Sequence, residues 1–96
     1  MDLLPTILSK RKEIEEIAHK HGAMNVRVFG SIARRDAQPD SDLDLLVDVG
    51  LEHSPLFPVR LIGDLKILLN RNVDIVTERS LYPRLREQIL REAIPL

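Results

Sequence analysis

The stretch from Asp42 to Val49, "DLDLLVDV", constrains this chain more than any other. Its side chains alternate, so Leu43, Leu45 and Val47 fall on one face of a strand while Asp42, Asp44, Leu46 and Asp48 fall on the other. Three apolar residues in register demand a core on that side. Packing does not explain the acids opposite them. Asp42 and Asp44, two residues apart on one strand face, stand about 7 Å apart by the strand rise. Like charges that close raise each other's pKa unless a cation lies between them. Mg²⁺ takes a few carboxylates plus substrate phosphates, so the pair reads as half of a metal site awaiting a nucleotide. The alternative is a solvated edge strand with acids on its wet face. The flanking apolar positions and Leu46 favour a central strand.

The rest of the chain supplies helices and further strands. From Pro5 to His21, Ile7, Ile14, Ile17 and Ala18 recur at helical spacing, with Pro5 in the first turn and Gly22 as the stop. "MNVRVFG" alternates, with Val26 and Val28 on one face, and reads as a strand. "SIARR" fits a helical turn or two starting at Ser31 before "DAQPDS" breaks it. After a loop with Pro55 and Pro58, Leu61, Ile62, Leu65, Leu68 and Leu69 trace an apolar helical stripe, weakened slightly by Gly63. "NVDIVT" is a third strand. Ser80 as N-cap and Pro83 in the first turn would open a last helix whose apolar face is Leu81, Leu85, Ile89 and Leu90. The terminal "REAIPL" suits either core or interface. The expected order is αβαβαβα, an α/β arrangement of helices on a small sheet, in one domain spanning residues 1–96.

Composition narrows the classes of function. With 44% hydrophobic and 30% charged residues the chain is globular, and a net charge of −1 argues against a nucleic-acid coat. One tyrosine, two phenylalanines and no tryptophan leave no stacking platform for single strands. Without cysteine there is neither disulfide nor thiolate metal site. The N-terminus lacks the pattern of a signal peptide and no run reaches the roughly 18 apolar residues of a membrane span. A cytoplasmic protein is therefore expected.

Two further features bear on the acids. Gly30-Ser31 lies where a strand meets an expected helix start; glycine, a hydroxyl and free N–H groups together suit a phosphate oxygen, though such a turn also serves simply to join two elements. Asp74, flanked by Val73, Ile75 and Val76, completes a triad able to hold two metal ions about 3.5 to 4 Å apart if its strand pairs beside the first. Asp48 shares the parity of the acids but lies at the strand's far end and is read as a surface acid. Other motifs fail. In "DSDLDLLVDVGL" Leu45 stands where a calcium loop needs glycine and Leu51 where it needs glutamate. There is no GxxxxGK or GxGxxG, and His19 and His21 point apart on their helix, so no zinc site follows.

Gly30-Ser31, ten intervening residues, Asp42-Leu43-Asp44, and Asp74 on a later strand resemble the signature of the DNA polymerase beta nucleotidyltransferase superfamily. The string "GSIAR......SDLDLLV" and the chain length are similar to its minimal nucleotidyltransferases, often encoded beside a HEPN-domain partner as toxin–antitoxin pairs. The resemblance covers residues 24–77. It implies that Gly30 and Ser31 hold the triphosphate of ATP, that Asp42 and Asp44 bind two Mg²⁺ ions, and that Asp74 completes the acceptor-side metal and helps deprotonate the attacking hydroxyl. Arg34 would neutralise phosphate charge or stand as a surface arginine. Arg35 departs from the family's frequent glycine, which a positive φ would make a strained choice. The implied activity is transfer of AMP from ATP to a hydroxyl side chain of the HEPN toxin, making this chain an antitoxin in a hetero-oligomer or homo-oligomer. Two alternatives stand beside it: a binding module that neutralises its partner by docking, and a free-standing transferase acting on RNA or a small molecule.

Overall fold

A computed structural model of the chain describes residues 1–51, 53 and 55–96. A four-stranded mixed sheet of order β3-β2-β1-β4 carries the structure. Its elements are α1 (Leu4–Ser9), α2 (Arg11–Lys20), β1 (Ala23–Phe29), α3 (Gly30–Arg34), β2 (Leu43–Val49), α4 (Val59–Leu69), β3 (Val73–Val76), a 3₁₀ turn (Glu78–Ser80), α5 (Pro83–Glu92) and β4 (Ile94–Pro95). The α/β class and the small helix-packed sheet agree with the alternation and periodicity of the sequence. β2 is central: it runs antiparallel to β1 and parallel to β3, the parallel step being bridged by α4.

The inner face of the sheet is the core. Val26 and Val28 of β1, Leu43, Leu45 and Val47 of β2, and Val73 and Ile75 of β3 are buried there. Ile14 and Ala18 of α2 and Leu61 and Leu65 of α4 join them in one apolar cluster. Gly22 (φ +85) follows α2, and Asn70 (φ +51) ends α4 in the left-handed conformation. Ile32, Ala33 and Ala37 anchor α3 and the segment after it in the same cluster.

Four local expectations change. The single helix over Pro5–His21 is two, α1 and α2, because Lys10 (φ −103, ψ +7) leaves helical geometry and redirects the chain between buried Ile7 and Ile14. Ser80 does not cap the last helix. It closes a capping box with Thr77 around the 3₁₀ turn, leaving Leu81 outside α5, whose N-cap is Tyr82 with Pro83 in the first turn. β1 starts a residue earlier than its alternation suggests and carries a register shift between Met24 and Arg27, with Asn25 at φ +51. Finally, "REAIPL" contains a strand: Ile94 pairs with Val28, Pro95 with Arg27, and the Leu96 N–H donates to the Val26 carbonyl at 3.0 Å. Two residues, one of them proline, give no alternation to read, and proline is at home on such an edge.

Candidate active site

The outer end of β1 and the start of β2 build the site. β1 ends at Phe29 in extended conformation and Gly30 turns the chain at φ +76 into α3. Glycine is required twice here. Its φ excludes ordinary side chains, and a Cβ on Gly30 would collide with the carboxylate of Asp44. The backbone of Gly30 therefore passes directly against an acid, a close approach that only the missing side chain allows. Ser31 follows, half-buried, and its carbonyl accepts the Asp36 N–H at 3.1 Å. Arg35 ends α3 at φ +66, so the position does hold the left-handed conformation that makes glycine the easy choice. Its guanidinium is tied to Asp2, with Nε donating to Oδ2 at 2.8 Å, and this partner holds the Asp2 carboxyl below its ordinary pKa.

Asp44 faces Asp74. In the parallel β2–β3 ladder these two are direct partners, so their side chains project from adjacent strands whose backbones lie about 5 Å apart. The condition on which the acidic triad depended, that the strand of Asp74 lie beside that of Asp44, is met. Asp42 lies one residue ahead of β2 and is exposed rather than held in the ladder. Like charges directly opposite in a sheet cost stability. The Asp44 carboxyl registers that cost, its pKa pushed up from 3.8 to about 6 by burial, then by the charges of Asp74 and Asp42, with Glu92 adding and Arg34 opposing. Among the described residues, no three acidic or histidine side chains close round a single point as a ready-made metal cage. An ion that retains waters and takes phosphate oxygens, as Mg²⁺ does, fits this donor set better than one needing a full protein shell.

Arg34 is tethered. Its Nη1 donates to Glu92 at 3.3 and 3.4 Å and its Nε to Asp36 at 3.4 Å. Glu92, the last residue of α5, also accepts the Gly30 N–H at 2.9 Å. Sequence reading missed Glu92: it lies outside the resembling stretch, on a helix where one more acid carries no signal. Asp48, read as a surface acid, is one: its side chain is 45% exposed and pairs with Arg27 at 2.9 Å and Asn25 at 3.0 Å, a partner set supplied by the irregular part of β1.

A small mixed sheet that presents paired carboxylates beside a glycine turn at the end of a strand fits a nucleotidyltransferase. The family model "Polymerase beta, Nucleotidyltransferase" matches residues 12–96, and the chain belongs to that family of enzymes. "Putative protein adenylyltransferase MJ0435" of Methanocaldococcus jannaschii is 39% identical over 84 residues, covering 88% of this chain and 90% of the relative. "Protein adenylyltransferase MntA" of Thermococcus cleftensis is 34% identical over 94 residues, covering 98% and 93%. A solved "Structure of putative minimal nucleotidyltransferase" superposes with a TM-score of 0.84 at 53% identity, covering 100% of this chain and 97% of the other. A "Crystal structure of the toxin-antitoxin with AMP-PNP" shares the fold, with a TM-score of 0.73 at 21% identity over 88% of this chain and 69% of that one.

Proposed function

We propose that this nucleotidyltransferase is an antitoxin that transfers AMP from ATP to a hydroxyl side chain of a HEPN-domain toxin, in the cytoplasm. The observation that carries the reading is the pairing of Asp44 with Asp74 across β2 and β3, an arrangement costly to the fold and useful to a cation. The two relatives named protein adenylyltransferase support AMP as the transferred group and a protein as acceptor. The toxin–antitoxin neighbour crystallised with AMP-PNP supports a nucleotide and a toxin as the two ligands.

Asp42, Asp44 and Asp74 would hold two Mg²⁺ ions together with the nucleotide. Mg²⁺ when bound neutralises phosphate charge and favours the ionised acceptor. The Gly30 amide, the Ser31 hydroxyl and the Arg34 guanidinium donate to triphosphate oxygens, orienting the α-phosphorus towards the acceptor. The acceptor oxygen attacks that phosphorus in line, the bond to the bridging oxygen of the β-phosphate breaks, and pyrophosphate leaves. Asp74, on the solvent-exposed side of the pair, takes the proton of the hydroxyl.

The test is labelled transfer. With α-labelled ATP, Mg²⁺ and a HEPN-domain toxin, the wild-type chain labels the toxin, whereas Asp44→Asn and Asp42→Ala lower the rate by about a hundred- to a thousandfold, the range of lost electrostatic stabilisation. Labelling that persists in both variants would contradict catalysis by these acids, and toxin inhibition that survives them with no label would contradict catalysis and point to docking.

A further inference from the structure

Glu92 occupies the place this reading gives to a phosphate. One of its oxygens accepts the Gly30 N–H at 2.9 Å, and the pair spans Arg34 Nη1 at 3.3 and 3.4 Å. An amide donor and a guanidinium converging on one carboxylate make an anion site, and the anion is the chain's own. The Glu92 side chain is only 15% exposed, against 45% for Arg34, so the carboxylate is the more enclosed partner of the pair. Asp44 lies against the same glycine, close enough that its carboxylate blocks a Cβ there. Both donors that hold Glu92, the Gly30 amide and the Arg34 guanidinium, can serve a phosphate oxygen equally, which makes the carboxylate an exchangeable occupant.

The placement follows from the chain's last elements. Glu92 closes α5, Ala93 is extended (ψ +132), and Ile94 pairs with Val28 two residues before Gly30. The short edge strand thus fixes the reach of the carboxylate to the turn. We infer that Glu92 is a tethered competitor for the triphosphate: it fills the phosphate subsite formed by Gly30 and Arg34 in the empty enzyme and swings out when nucleotide enters, so it sets nucleotide affinity. The inference rests on the assignment of Gly30 and Arg34 to the phosphates. A side chain that fills the site about nine-tenths of the time raises the apparent Kd about tenfold.

Calorimetric titration of the full chain with Mg²⁺ and AMP-PNP, inorganic tripolyphosphate or adenosine tests it, using wild type, Glu92→Ala and Glu92→Gln. Both variants should bind AMP-PNP and tripolyphosphate about tenfold more tightly and adenosine no differently, because only phosphate competes with the carboxylate. Unchanged or weaker polyphosphate binding, or an equal gain for adenosine, would overturn the role of Glu92 while leaving the nucleotide site intact. Absence of AMP-PNP and tripolyphosphate binding in all three proteins would overturn the phosphate assignment and this inference with it. The isosteric Glu92→Gln variant keeps the test valid if the alanine variant loosens β4.

Discussion

The two faces of β2 obey different rules. On the inner face Leu43, Leu45 and Val47 are at most 1% exposed and meet helices α2 and α4 in one apolar cluster. On the outer face Leu46 is buried as well, but Asp44, two residues before it, stands against Asp74. One strand of seven residues thus carries stability on one side and an electrostatic cost on the other. The inner face supplies the rigidity, and so permits the outer face to hold like charges in register.

This division is broken most severely from the inside. Leu45→Ala removes a side chain 1% exposed at the centre of the cluster and should lower the unfolding free energy by about 2 to 5 kcal/mol, measurable by urea denaturation. A loss well below that range would mean that the inner face is less tightly packed than its burial indicates. The smallest effect lies at the rim of the site. Arg35 holds φ +66, so Arg35→Gly relieves backbone strain while losing the tie to Asp2. The first effect should narrowly prevail, raising the melting temperature by no more than about 5 °C. A fall in melting temperature would show that the Asp2 tie outweighs the strain.

Much of this was legible because period and parity are properties of local sequence. The alternation of Leu43, Leu45 and Val47 against Asp42, Asp44 and Asp48 fixed both faces of β2, and a glycine followed by a serine marked the turn at Gly30. Arg35 was flagged only by the resemblance, as a departure from the family's frequent glycine, and its φ of +66 comes from the structure. What the sequence concealed depends on contacts between distant segments. Nothing in "REAIPL" shows that Ile94 adds an edge to β1, because two residues have no period. Glu92 reaches Gly30 across 62 positions only because that edge exists. The break at Lys10 was hidden for a related reason: Ile7 and Ile14 keep helical spacing whether the helix is straight or bent.

The claim that Asp44 serves a cation rather than the fold is tested most directly by the pH dependence of unfolding of wild type and Asp44→Asn. The carboxyl is raised in the native state from 3.8 to about 6. The native chain therefore binds the proton more tightly than the unfolded chain, and stability falls as pH rises from about 4 through about 6. At pH 8 the ionised side chain costs stability, and the asparagine variant should be more stable than wild type by about 1 kcal/mol after allowance for solvent screening. Below pH 4 that advantage should vanish, and at pH 8 Mg²⁺ with AMP-PNP should stabilise wild type but not the variant. A variant less stable than wild type by the same margin at both pH values, with no selective stabilisation of wild type by Mg²⁺ and nucleotide, would contradict the account and make Asp44 an ordinary structural acid.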